Sequence, residues 1–296
     1  MVDAPALGAG IRKDMEVRVL SSAPNMKKLI IVIGPTASGK TRLATNLASQ
    51  MNGELISADS RQVYQGFDLA SGKEGKLSPN QTGSDLASLY PQLRYITRPN
   101  SKPVPQWLTD LAPISTRLTV NDWVEAADRV VKDCLERQKT PILVGGSWLY
   151  LQAWLLGYNF DGTGANLNNP RHRATSGTAA PKLEYWLDIY WLKPQPSALS
   201  SRIQQRLTDR SNQGLIDESM KDLERFGLNL DEIAPLGLEF SWLAQADKVA
   251  EAELAIAINR FARHQQKNFR ALMRKLIATG FKYRLSIQLL PDNLSS

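Results

Sequence analysis

Cysteine and histidine are almost missing: one cysteine, Cys134, and two histidines, His172 and His264, in 296 residues. A disulfide framework and a cysteine-rich zinc site are excluded together, and two histidines distant in the chain make no histidine metal cluster. Any metal is therefore expected on oxygen ligands and phosphate. No stretch approaches the roughly 18 consecutive apolar residues of a membrane span, so no membrane partner is expected. Residues 1–25 lack the apolar centre of a secretory signal, because Arg12, Lys13, Asp14, Glu16 and Arg18 interrupt it. They read as a loose leader, and a reducing, cytoplasmic address is the expectation. One long stretch is also free of acid: no Asp or Glu occurs between Glu253 and Asp292.

What remains is ordinary globular composition, 43% apolar and 22% charged, in a length that suits one large domain or two of average size. The net charge of +7 permits a polyanionic partner without requiring one.

Apolar runs organise the chain. Leu29 to Ile33 is a short β-branched run of the kind buried on both faces of a parallel sheet, and a helical pattern begins at Lys40. Glu54 to Ala58 and Pro141 to Val144 are further strands, the second followed by a helix from Trp148 to Leu156. Residues 71–105 are rich in Ser, Gly, Pro, Asn and Lys, which predicts a long loop or lid. Asn121 is the expected N-cap of a helix to about residue 138. Residues 159–181, poor in apolar side chains, predict a linker or disordered insertion. A strand over 183–192 follows, then helices near 196–209 and 212–226, and a long helix near 247–278 with Leu254, Ile258, Phe261, Leu272 and Leu276 inward. The alternation predicts an α/β, P-loop NTPase-like doubly wound parallel sheet with a helical C-terminal part and a reduced insertion. The expected divisions are a leader at 1–25, a core at 26–158, a linker or reduced insertion at 159–182, and the rest of the core with the C-terminal helices at 183–290.

Gly34-Pro35-Thr36-Ala37-Ser38-Gly39-Lys40-Thr41 fits G-x-x-x-x-G-K-[ST] directly between a buried strand and a helix. In that setting the amides of residues 36–41 are expected to converge on phosphate oxygens, with Lys40 as a point charge and Thr41 as a metal-side hydroxyl. An ordinary NTPase needs a further aspartate at a strand end. The strand ending at Val144 runs instead into Gly145-Gly146, and the acid at a strand end is Asp59, in Asp59-Ser60-Arg61-Gln62-Val63-Tyr64. Magnesium ligand, general base and structural cap all remain open for it.

Arg260, Arg263, Lys267, Arg270 and Arg274 recur at spacings of three and four, hence as one stripe along the last helix. A solvated face is the ordinary meaning of such a run. With no acid in it, a polyphosphate or nucleic-acid backbone is the better match. The seven tryptophans offer stacking faces, but most are expected in the core.

Taken together, these segments resemble the tRNA dimethylallyltransferase (tRNA isopentenyltransferase) family. Its phosphate loop G-P-T-A-S-G-K-T is unbroken at 34–41, and its I-S-A-D-S-R-Q-V-Y is Ile56 to Tyr64. Its D-I-G-T-A-K is Asp68 to Lys73, its P-H-H-L-I-D is Pro105 to Asp110, and its V-G-G-T-G-L-Y is Val144 to Tyr150. Arg202-Ile203 with Gly214 to Glu218, and Arg260 to Gln265, echo two later blocks. The chain departs from the family at Trp148, where the family has glycine, at 236–240, which lacks the family's Tyr and Lys, and at 159–181, where a longer helical insertion is customary.

The resemblance implies transfer of a dimethylallyl group from dimethylallyl diphosphate to the exocyclic amine of the adenine beside the anticodon of tRNA. It implies that Gly34 to Thr41 hold the diphosphate, with Mg²⁺ at Thr41, and that Asp59 accepts the proton of the amine. Ser60, Arg61 and Gln62 would seat the base, Ser147 would contact substrate at the channel, Arg171 would match a substrate-contacting arginine, and Arg260, Arg263 and Lys267 would brace tRNA. The working expectation is a monomer. A prenyltransferase for free adenine nucleotides, a small-molecule phosphotransferase of the phosphate-loop class with ATP binding, and an inactive nucleic-acid-binding module are the alternatives.

Overall fold

The computed structural model describes residues 27–158, 185–245, 250–279 and 285–290. The expected leader, the expected linker or reduced insertion and Arg171 lie outside the described residues.

The strands are β1 (Lys27–Ile33), β2 (Gly53–Ser57), β3 (Lys76–Pro79), β4 (Gln92–Ile96), β5 (Val104–Trp107), β6 (Thr140–Gly145), β7 (Tyr185–Leu192) and β8 (Leu285–Leu290). The helices are α1 (Lys40–Gln50), α2 (Asp68–Ser71), α3 (Val120–Glu136), α4 (Trp148–Leu155), α5 (Pro196–Asn212), α6 (Leu215–Phe226), α7 (Leu230–Ile233), α8 (Leu238–Leu243) and α9 (Glu251–Ala278). One eight-stranded sheet runs in the order β3-β4-β5-β2-β6-β1-β7-β8. Its members from β5 to β8 pair in parallel, and β4 is antiparallel to both β3 and β5.

Side chains of β1 alternate between two buried layers, as strand geometry requires. Leu29, Ile31 and Ile33 join the larger core, which α3, α4 and α9 cover through residues such as Trp123, Leu151 and Phe269. Ile30 and Val32 join the smaller one, beneath α1 with Ala44, Leu47 and Ala48. Both faces of β1 are therefore dry, which is why its residues from Leu29 to Ile33 are all apolar. Two satellite cores fasten the C-terminal helices: α5 against α9 through Leu199, Ile203, Leu207, Leu254 and Ile258, and α2, α6 and α8 around Phe67, Leu223 and Phe240.

The structure corrects three readings. The expected loop at 71–105 contains β3, β4 and β5, which extend the sheet; β3 is largely exposed, so its sequence carries little apolar pattern. The N-cap of α3 is Thr119, not Asn121, because Thr119 and Asp122 exchange bonds as a capping box. Phe261 is exposed on α9, whereas Ala262 is buried in its place. Strand β8, beyond the elements expected from the sequence, pairs in parallel with β7.

Candidate active site

The phosphate loop leaves β1 at Gly34 and enters α1 at Lys40. Gly39 caps the helix with φ 85°, a left-handed conformation that glycine adopts without steric cost. Lys40 Nζ donates to the Pro35 carbonyl at 2.7 Å, which folds its side chain back over the loop. Ser38 is buried, and its Oγ has no hydrogen-bond partner among the described residues. An unmatched buried hydroxyl in a cradle of amides suits an anion oxygen. Two amides expected to face phosphate are otherwise engaged: Thr36 N–H donates to Gln265 Oε1 at 2.9 Å, and Ser38 N–H to the Pro35 carbonyl at 3.3 Å.

A cluster of cations surrounds this loop. Arg206, from α5, stands 3.5 Å from Thr36 Oγ1. Arg210, one turn on, lies 3.8 Å from Glu239 Oε1, and Arg61 pairs with the other oxygen of the same carboxylate. The Gly72 backbone packs so closely on the guanidinium ends of Arg206 and Arg210 that a Cβ there would overlap both. Burial lowers the Lys40 ammonium to about 7; Asp59 opposes this, while Arg206 and Arg61 reinforce it. Burial and then the Arg206 charge bring the Arg210 guanidinium down to about 9. Burial likewise lowers Arg206. Positive charge is thus concentrated beyond what Asp59 and Glu239 neutralise, which is the electrostatic form of an anion site.

The other half of the site lies at the neighbouring strand ends. Asp59 follows β2, and Ser147 follows β6, the strand between β2 and β1. The Ala58 carbonyl approaches Gly145 so closely that any Cβ there would overlap it. Ser60 N–H donates to Ser147 Oγ at 2.9 Å, closing the two strand ends on each other. Asp59 Oδ1 accepts the Arg61 N–H at 3.0 Å and lies 3.7 Å from Arg61 Nε, so both interactions fall on one oxygen. The structural-cap role is therefore present, and it leaves Oδ2 out of the turn. Gln62 is committed internally: its Oε1 accepts from Ser57 Oγ at 3.0 Å, and its Nε2 donates to the Gly72 carbonyl at 3.1 Å. Arg61, held by Glu239, and Gln62 have their side chains engaged within the protein, and the Ser60 hydroxyl lies 3.3 Å from that of Ser147.

Trp148 is half-buried, packed against the larger core at the start of α4. Arg260, Arg263, Lys267, Arg270 and Arg274 are all exposed, opposite the buried face of α9 formed by Leu254, Ile258, Ala262, Gln265, Phe269, Leu272 and Leu276. The stripe does not enter the phosphate loop. Sequence reasoning missed Arg206, Arg210, Glu239 and Gln265 as site residues. A signal existed for the arginines: they follow Leu199, Ile203 and Leu207 at helical spacing, inside the apolar stripe of α5, where a solvated arginine would not stand.

A family model described as IPP transferase matches residues 94–187. The tRNA dimethylallyltransferase 1 of Hahella chejuensis is 30% identical over 308 aligned residues, which cover 88% of this chain and 93% of that protein. The chain belongs to the tRNA dimethylallyltransferase family. A second relative, the tRNA dimethylallyltransferase of Lactococcus lactis subsp. lactis, is 31% identical over 207 residues, or 69% of this chain and 63% of that protein's length. Among solved structures, the tRNA isopentenylpyrophosphate transferase of Bacillus halodurans superposes with a TM-score of 0.60 at 24% identity, covering 90% of this chain and 91% of its own, a likeness of fold. At the end of β6, where an NTPase carries an aspartate, Gly145 and Gly146 stand packed against Ala58 and Gln265.

Among the described residues no group of three or more His, Cys, Asp or Glu could hold a metal ion, and no helix is long and apolar enough to cross a membrane. For Mg²⁺ the fit is to a shared site, since this ion is commonly held by substrate phosphates and few protein ligands. Thr41 stands in the first turn of α1.

Proposed function

We propose that this member of the family transfers a dimethylallyl group from dimethylallyl diphosphate to the exocyclic amine of the adenine beside the anticodon of tRNA. Transfer of the dimethylallyl group to tRNA is the activity of the family. The finer assignment rests on one observation above all: Lys40 of the phosphate loop lies in the field of Arg206, Arg61 and Asp59, the last at the end of β2, one strand beyond β6 from the loop.

The chain's own residues account for the steps. The loop amides that remain open, Lys40 and the arginines neutralise the diphosphate as the C–O bond to the allyl carbon breaks, so electrostatic stabilisation is aimed at the leaving group. The amine nitrogen forms the new C–N bond, and its proton passes to Asp59 Oδ2, the oxygen outside the Arg61 turn. Mg²⁺, when bound with the diphosphate at Thr41, supplies further charge neutralisation there. An adenine in an anticodon loop must leave its stack to enter such a site, and the exposed stripe of α9 braces the tRNA backbone with Arg260, Arg263 and Lys267. A cytoplasmic address and a monomeric state belong to the same reading; Cys134, the one cysteine of the chain, is a buried free thiol whose ionisation burial suppresses.

The test is to incubate purified protein with Mg²⁺, dimethylallyl diphosphate and unmodified tRNA, with AMP in a parallel reaction, and to analyse nucleosides by mass spectrometry. Prenylated adenosine from tRNA is expected. Product from AMP alone would move the acceptor to free nucleotides, and ATP hydrolysis without prenylation would replace the reading by phosphotransfer.

A further inference from the structure

Gln265 sits on α9 between Arg263 and Lys267 but points the opposite way, and is 5% exposed. Its side-chain amide bonds in two directions. Oε1 accepts the Thr36 N–H of the phosphate loop at 2.9 Å, and Nε2 donates to the Gly146 carbonyl at 3.1 Å. Gly146 immediately precedes Ser147, which in turn holds Ser60 and so the residue next to Asp59. A group with an acceptor at one end and a donor at the other is required, since the loop offers an N–H and the turn after β6 a carbonyl. The space is made for it as well: a Cβ on Gly146 would overlap Gln265 Nε2. The next residue repeats the device on the adjacent strand, with Gln266 Oε1 accepting from Trp191 Nε1 at 3.0 Å and Nε2 donating to the Leu192 carbonyl at 3.2 Å.

We propose that Gln265 is a positioning residue that sets the donor half of the site, the phosphate loop, in register with the acceptor half, the Gly146-Ser147-Ser60-Asp59 chain. The inference rests on the transfer reaction proposed above. Gln265 occupies the Thr36 amide instead of leaving it for phosphate, so its contribution is to alignment and not to donor affinity. Misplacement of reacting groups by about 1 Å is enough to cost roughly a hundredfold in rate.

The variants are Gln265→Met, which keeps the volume and removes both bonds, Gly146→Ala, which displaces Nε2 from the other side, and their combination. Gly146 lies outside the left-handed region, so alanine is compatible with its backbone. Each single variant is expected to lower kcat at least about tenfold, with KM for donor and tRNA within about threefold; the melting temperature falls by a few degrees, because the buried Gly146 carbonyl loses its partner. The double variant is expected to be no worse than the worse single, because both changes remove the same interaction. An increased donor KM at unchanged kcat, or additive losses, would overturn the inference. Hydrogen exchange without substrate reads the same interaction independently of turnover: Gly146→Ala must speed exchange at the phosphate loop around Thr36. Unchanged exchange there refutes the clamp even if the wild type is active. A wild type that makes no prenylated adenosine refutes the reaction and leaves the exchange result to decide the clamp.

Discussion

The Ser147 hydroxyl takes the Ser60 N–H at 2.9 Å and lies 3.3 Å from the Ser60 hydroxyl, so the residue beside Asp59 is tied to the N-cap of α4. The pair is near solvent, where a lost neutral hydrogen bond costs about 1 kcal/mol or less. Its effect on the direction of the Asp59 carboxylate is the larger one. Ser147→Ala is expected to melt within a few degrees of the wild type while turnover falls roughly tenfold. Ser147→Thr, which keeps the hydroxyl, is expected to retain activity. Steady-state kinetics beside thermal melts separate the two effects, and full turnover in the alanine variant would remove the tie from the mechanism.

Asp59→Asn is the cleanest change available at the proposed base. Asparagine retains the acceptor that holds the Arg61 N–H, so the turn after β2 survives while the proton acceptor is lost. Turnover is expected to fall by about 10²–10⁴, the range for removing a positioned base, with tRNA affinity unchanged. Single-turnover kinetics and filter binding decide it; an unchanged rate would exclude Asp59 as the base.

Lys40 gives the site a pH dependence with a definite sign. Burial, reinforced by Arg206 and Arg61 and opposed by Asp59, brings its ammonium down to about 7 in the free protein. A bound diphosphate favours the charged form and raises that value, so binding above pH 7 takes up a proton. Donor affinity is expected to be level below pH 7 and to weaken by up to about tenfold per pH unit above it. Lys40→Arg carries a charge that does not titrate in this range, and should flatten the profile. Calorimetry in two buffers of different ionisation enthalpy measures the proton uptake directly.

The parts of the site that follow one another in the chain were legible, and the parts assembled across it were not. The phosphate loop, Asp59 and the acid-free stripe announce themselves by local spacing, and β1 and β6 by the apolar runs Leu29 to Ile33 and Pro141 to Val144. Glu239 sits in a block read as a departure from the family, and its use appears only when Arg61 and Arg210 arrive from two other elements. Gln265 reads as one more polar residue in a basic helix until Thr36 and Gly146 are placed on either side of it. The hydrogen bonds of Gln62 with Ser57 and Gly72 are equally invisible in the sequence, because a side chain's partners depend on elements that its local sequence does not mention. Strands β3 to β5 were hidden for a related reason: β3, at the sheet edge, is largely solvent-facing, and β5 is short and contains Pro105, so neither has the apolar run that reveals β1.

The stripe on α9 makes a prediction that separates tRNA binding from donor binding. Arg263 and Lys267 are exposed and lie on the face away from the core. Replacing both by Glu should weaken tRNA binding and reduce the slope of log affinity against log salt by about 0.7–0.9 for each phosphate no longer neutralised. Donor affinity should be unaffected, because Gln265, between them, keeps its hydrogen bonds on the opposite face. If salt titration of tRNA binding is unaltered in the double variant, the stripe is an ordinary solvated surface.

Glu239 offers a test in which stability and ligand affinity move in opposite directions. Its carboxylate, 3% exposed, is shared by Arg61 and Arg210. Glu239→Gln removes the counter-charge from buried guanidiniums, a change that typically costs about 3–5 kcal/mol when one partner of a buried pair is lost. The free variant is therefore expected to melt well below the wild type. The same substitution leaves the cluster around the phosphate loop more positive, so inorganic diphosphate should bind it more tightly and raise its melting temperature by more than it raises that of the wild type. Thermal melts with and without diphosphate, at fixed Mg²⁺, read both quantities in one series. Equal shifts in the two proteins would mean that Arg61 and Arg210 serve the fold alone, and would confine the anion site to the loop amides, Lys40 and Arg206.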